Sequence, residues 1–254
     1  MINKFFQAAL IEGEGFGTAY EYQVKANLLQ KYLNETDRVL ILGLPEKFGV
    51  SANFLILADK MQKPMLVVDD KPELIAEFNK VKQILIDTKL LQHPQLIESK
   101  LLPGLAEYVP ETNYDLIIIQ KLNKGWDEQY LNRLLCKTKN IFIFAPNSNN
   151  LSHQKFSKLA GINQTDLKKL SGKILNTELG FIDCPPFPSG IKLQRTPEQI
   201  HKQSSSFLNK AFCSIFLGCL NILCRLEKIF PAKIKNNHSH IIYLALKNEK
   251  KPGQ

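Results

Sequence analysis

Four short apolar runs punctuate the middle of the chain: Val39-Leu-Ile-Leu-Gly43, Met65-Leu-Val-Val-Asp69, Tyr114-Asp-Leu-Ile-Ile-Ile119 and Asn140-Ile-Phe-Ile-Phe-Ala145. Each is almost continuously apolar, the pattern of a strand covered on both faces. Between them, residues 50–61, 72–83 and 126–137 read as helices long enough to cross back over a sheet. The β-α-β-α-β-α-β order over 39–145 predicts an α/β fold, an open parallel sheet doubly wound by right-handed crossovers. Ahead of it, residues 18–33 (TAYEYQVKANLLQKYL) read as an amphipathic helix inside an N-terminal helical segment, 1–36. Behind it, helices are expected at Ser152–Ala160 and Asp166–Leu170, a short strand at Gly180–Cys184 and a last strand at His240–Leu246. The pattern is that of one domain over 1–254, with an α/β core at 37–196, a helical insert at 197–237 and the last strand within 238–248.

One stretch has no polar stripe. Ala211–Cys224 reads AFCSIFLGCLNILC, uncharged between Lys210 and Arg225. It is shorter than the roughly 20 residues of a membrane span. Phe212, Ile215, Phe216, Leu220 and Leu223 recur at helical spacing, which predicts a face buried on the carboxyl edge of the sheet. Phe207, Leu217 and Ile222 then lie on other faces. Those faces are expected to meet an apolar acceptor, a lipid surface through a peripheral contact over 207–225, or a second subunit.

Composition narrows the class. At 254 residues, 44% hydrophobic and 22% charged, the chain is neither collagen-like, disordered nor a disulfide scaffold. The net charge is +9, yet only Arg38, Arg133, Arg195 and Arg225 among the 33 basic residues are arginine. Readers of nucleic acid favour guanidinium forks, and no arginine-rich run is present, which argues against a nucleic-acid partner. The five cysteines contain no C-x-x-C pair and are read as reduced core residues. His238 and His240 share a strand face without a carboxylate cluster, so no metal site is expected. The N-terminus lacks the pattern of a signal peptide, and a cytoplasmic location is expected.

In open α/β sheets ligands settle beyond the carboxyl ends of the strands. The first such loop, Gly43-Leu-Pro-Glu-Lys-Phe-Gly49, is neither a P-loop, since Val50 and Ser51 follow Gly49, nor a G-x-G-x-x-G turn. No G-x-S-x-G elbow occurs either. The second strand ends in Asp69-Asp70, acids able to accept hydrogen bonds from ribose hydroxyls.

Taken in order, VLILGLPEKFG, VVDDKPELI, Glu98-Ser-Lys-Leu-Leu-Pro103 and YDLIII resemble the motifs of class I S-adenosylmethionine-dependent methyltransferases. GFIDCPPFPSGI, LEKIFPAKI and SHIIYLALKN resemble that family's sixth strand, pre-terminal helix and antiparallel seventh strand. The resemblance implies a Rossmann-like, mostly parallel seven-stranded sheet with an antiparallel C-terminal strand and a helical insert. It implies S-adenosylmethionine as cofactor, with Asp69 on the ribose hydroxyls, Asp70 beside it, and the Glu98 loop on the adenine. Gly43, Leu44, Gly49 and Gln120 complete the implied cofactor site, although Pro45 and Lys47 stand where the family has glycines.

The implied activity is methyl transfer to a small acceptor, apolar or lipid-like. Two alternatives follow from the residues: the altered first loop suits a non-catalytic interaction protein of the same fold, and the +9 charge suits a nucleic-acid methyltransferase. Candidate acceptor-facing residues are Gln120 to Lys124, Asn147 to His153, Tyr20, Tyr22 and Leu217. His153 is the candidate general base, since an unperturbed imidazole has a pKa of about 6.5. Glu12–Gly17 reads as a lid or a plain loop, and Trp126 as a packing residue at a helix start.

Overall fold

The computed structural model describes residues 1–30, 32, 38–45, 52–122, 126–152, 154, 161–174, 176–185 and 207–248. The N-terminal helices are α1 (Ile2–Ile11) and α2 (Phe16–Leu29). Next come β1 (Val39–Leu42), α3 (Ala52–Met61), β2 (Met65–Asp69), α4 (Pro72–Asp87), β3 (Ile97–Leu101) and β4 (Tyr114–Ile119). The chain continues through α5 (Glu128–Leu135), β5 (Thr138–Pro146), α6 (Gln164–Ser171) and β6 (Thr177–Ile182). It closes with α7 (Phe207–Leu226), α8 (Ala232–His238) and β7 (Ile241–Lys247).

The strands form one seven-stranded sheet in the order β3-β2-β1-β4-β5-β7-β6. β7 runs antiparallel to both its neighbours, and the other pairings are parallel. Continuous apolar sequence is required where both faces are covered, and β1 and β4 show it: Val39 to Leu42 and Leu116 to Ile119 are all buried. Successive side chains point to opposite faces. Val39, Ile41, Val67, Ile118 and Phe142 therefore pack under α1 to α4, with Phe5, Phe54 and Phe78. Leu40, Leu42, Ile117, Ile143 and Leu244 face α5 and α6, with Tyr130, Leu134 and Leu167.

Local chemistry sets the helix starts. The Asp127 carboxylate accepts the Tyr130 N–H at 2.9 Å and the Asn163 side chain accepts the Asp166 N–H at 2.8 Å, so each caps its helix. α4 opens with Pro72, whose missing N–H costs nothing there, and Glu73 complements the positive end of the helix. Trp126 is buried, stacks on Tyr130 and donates its indole N–H to the Ala106 carbonyl at 2.8 Å, the packing role expected of it.

Several expectations are corrected. α2 is buried on nearly every side, with Tyr20, Tyr22, Gln23, Val24 and Lys25 all inside, rather than on one stripe. The cause is α7, which packs on α1 and α2 instead of on the carboxyl edge of the sheet. Its buried residues are Leu217, Leu220 and Cys224, against Ile2, Tyr20 and Val24, while Phe212, Ile215 and Ile222 are exposed. Leu217 is thus core, and the face predicted to be buried is rotated by about one position. Cys136 and Cys219 are exposed rather than core, and only Cys184 and Cys224 are buried. Of the two readings of Glu12–Gly17, the plain connection holds: Glu12–Gly15 is a tight turn, fixed by Gly13 and Glu14 N–H bonds back to α1 and by the Tyr22 hydroxyl donating to Glu12.

Asn147 ties the end of β5 to the chain entering β7. It is fully buried, donates to the carbonyls of Asn236 at 2.8 Å and Ser239 at 2.9 Å, and accepts the Asn149 N–H at 3.1 Å. Every polar atom of its amide is used internally. Asn147→Ala would orphan these buried groups and is expected to lower stability by roughly 2–4 kcal/mol, read as a lower urea midpoint at unchanged m-value. A loss under about 0.5 kcal/mol would contradict this role.

Candidate functional site

The winding reverses between β1 and β4, so the crevice at their carboxyl ends is where such a sheet receives a ligand. Gly43 leaves β1 there with φ of +78°, a left-handed conformation that side chains disfavour. A Cβ on Gly43 would also lie 2.8 Å from Lys121 Cβ, so the loop after β4 packs directly over the glycine turn.

Asp69, the last residue of β2, has no exposed surface. Its Oδ2 accepts the Leu44 N–H at 2.7 Å and its Oδ1 accepts the Lys71 N–H at 2.8 Å. The carboxylate therefore clamps the β1 loop to the start of α4, and the ribose contact expected of Asp69 has no surface to act through. Its neighbour does: the Asp70 side chain is 35% exposed and takes an ion pair from Lys121 Nζ at 3.1 Å. Burial alone would raise the Asp70 carboxyl, but the hydrogen bond and charge of Lys121 outweigh it and hold the carboxyl below its ordinary value. Gln120 follows β4 and donates its N–H to the Leu42 carbonyl at 3.3 Å, in the reversal itself.

Gly43, Leu44, Asp69, Asp70 and Gln120 are thus brought together. Glu98 is not. It is the second residue of β3, opposite Leu66 of β2, and lies three residues, about 10 Å, from the carboxyl edge. The residue level with Asp69 is Leu101, which is exposed. Gly49 and His153 lie outside the described residues.

Tyr20 and Tyr22 are committed internally, Tyr22 to Glu12 and Tyr20 to Glu227 at 2.5 Å. The Tyr20 contact belongs to a buried polar group that the sequence did not announce, because its acids sit singly inside apolar segments. Glu227, directly after α7, also accepts the Cys184 N–H at 3.2 Å. Asp183, in a left-handed turn after β6, is buried with neither oxygen hydrogen-bonded among the described residues. Burial, then the charges of Glu21 and Glu227, push its carboxyl well above the ordinary range against an opposing Lys25. Burial raises Glu227 too, and the Cys184 thiol is pushed up to about 11 by burial and by both acids.

No family model and no curated protein matches the chain. Among solved structures, the methyltransferase domain of bacterial CtHen1-CN superposes with a TM-score of 0.50 at 12% identity, over 90% of this chain and 98% of that one. This is the class I methyltransferase fold. Looser likenesses to methyltransferases include plantazolicin methyltransferase BpumL in complex with SAH, at TM-score 0.49 and 14% identity over 91% of this chain and 83% of that one. Coclaurine N-methyltransferase gives 0.45 and 13% over 90% and 71%. In this chain the strand order β2-β1-β4 puts Asp69-Asp70, the Gly43 turn and Gln120 at the carboxyl ends of three neighbouring strands.

The raised acids set a pH dependence. A carboxyl whose folded pKa exceeds its unfolded value binds more protons in the native state, so stability falls as pH rises from about 4 through the raised values. Asp183→Asn removes that ionisation and is expected to flatten the decline and to stabilise the protein at neutral pH. Urea unfolding of both proteins across a pH series checks this, and parallel curves would contradict it.

Proposed function

We propose that this chain transfers a methyl group from S-adenosylmethionine to a small acceptor. The reading is carried by one observation: the left-handed Gly43 turn at the β1/β4 reversal and the partly exposed Asp70 carboxylate just past the adjoining β2 are joined through Lys121, which packs on the first and pairs with the second. Both fit the nucleoside part of the cofactor. The glycine lets backbone approach a ligand closely, and the acid accepts hydroxyl hydrogen bonds. Leu101, exposed at the end of β3, offers apolar surface on the base side in place of Glu98.

When bound, the cofactor supplies a sulfonium methyl group that is lost in an in-line displacement. The chain's part is to orient and to exclude water. Asp69 holds the β1 loop and the start of α4 at fixed spacing, so Asp70 meets the ribose hydroxyls from a rigid turn. Lys121 must leave Asp70, at least in part, when those hydroxyls arrive. Such displacement is inexpensive, since a partly exposed ion pair contributes only about 0–1 kcal/mol.

The Lys121 bridge favours a second reading. With Lys121 across the Gly43 turn and paired to Asp70, the site is closed on that side, as in a non-catalytic interaction protein of the same fold.

Titration calorimetry with S-adenosylhomocysteine separates the two. The methyl-transfer reading expects measurable heat, affinity reduced about tenfold or more in Asp70→Ala, and equal or tighter binding in Lys121→Ala. Folded protein that gives no heat at millimolar ligand, in the wild type and in Lys121→Ala alike, overturns it for the non-catalytic reading.

A further inference from the structure

α7 buries one side on α1 and α2 and, among the described residues, leaves the other open. Phe212, Ile215, Ile222, Leu226 and Ile229 are all 45% to 76% exposed, and with the exposed Cys219 they recur every three or four residues along one face. Ile234 on α8 is exposed as well. Large apolar side chains arranged in a stripe, rather than scattered, mark a surface that meets something other than water.

The charge beside the stripe says what it meets. From residue 207 to 238 the sequence carries Lys210, Arg225, Lys228, Lys233 and Lys235 and one acid, Glu227. Glu227 is buried with Tyr20 and Cys184. Arg225, Lys228 and Lys233 are exposed. The outer surface of this segment is thus apolar and cationic with no exposed acid among its described residues. A second copy of the same segment offers no exposed carboxylate among its described residues to answer Arg225 and Lys228, which gives self-pairing no charge complement. An anionic lipid surface answers both features, the apolar stripe entering the acyl boundary and the cations meeting the headgroups. No helix among the described residues is long and apolar enough to cross a membrane, so the contact is one of lying on the surface.

We infer that α7, with the turn 227–229 and α8, docks this protein peripherally on an anionic bilayer. The polar knot of Tyr20, Glu227 and the Cys184 N–H pins the C-terminal end of α7 to α2 and β6, holding the apolar side outward. The inference does not depend on what the glycine-turn site holds.

Co-sedimentation of the full chain with vesicles tests it, using phosphatidylcholine alone and an equal mixture of phosphatidylcholine and phosphatidylglycerol. The protein is expected to bind the mixed vesicles, to release them at high salt, and to bind the neutral ones weakly. Ile215→Glu with Ile222→Glu, both at exposed positions, and separately Arg225→Glu with Lys228→Glu, are each expected to lower partitioning about tenfold or more. Native circular dichroism and unchanged calorimetry with S-adenosylhomocysteine would show that the rest of the chain is intact. Wild-type protein that ignores mixed vesicles overturns the inference. So does a wild-type dimer in sedimentation that the Ile215/Ile222 pair converts to monomer without altering vesicle binding, since a second copy would then be the occupant.

Discussion

The carboxyl edge of this sheet depends on one buried carboxylate. Asp69 accepts N–H bonds from both Leu44 and Lys71, and so joins the exit of β1 to the entry of α4. A buried charge is tolerated only when hydrogen bonds replace lost water, and here backbone donors do so on both oxygens. With that tie in place, Gly43 can hold its left-handed turn, Lys121 can pack over it, and Asp70 is left facing outward. The same constraint that makes Asp69 indispensable to the loop removes it from the surface.

The helices are arranged by a second, weaker rule, that each apolar face must find a cover. α2 serves the sheet on one side and α7 on the other, which is why it is buried almost all round and why Tyr20 and Tyr22 spend their hydroxyls on Glu227 and Glu12. α7 has nothing beyond it among the described residues, and its outer stripe stays open. The two surfaces proposed for function, the glycine-turn edge and the α7 face, are therefore built from different parts of the molecule.

The central strands were legible because β1, β2, β4 and β5 are apolar runs that only a doubly covered sheet explains, and the winding followed from their spacing. β3 was harder. It is an edge strand in which only Ile97 is buried, so no apolar run marked its limits and Glu98 read as a strand end rather than a strand start. The pair Asp69-Asp70 was legible as the acidic end of β2. Which of the two is left exposed depends on the backbone donors at Leu44 and Lys71, and no pattern in one sequence shows those. The face of α7 was misjudged for a related reason: an uncharged helix has no polar stripe to orient it. Its packing partner is a pair of helices rather than the sheet edge.

The central proposal is that the edge between Gly43 and Gln120 is a nucleoside site in which Asp70 takes the ribose. A crystal structure of the chain grown with S-adenosylhomocysteine tests that most directly. The expected result is ligand density at the β1/β4 reversal, with ribose hydroxyls on the Asp70 carboxylate, Lys121 displaced and the Asp69 bonds to Leu44 and Lys71 unchanged. Ligand bound elsewhere, or well-ordered crystals in which Lys121 still bridges to Asp70 over an empty edge at saturating ligand, would contradict it.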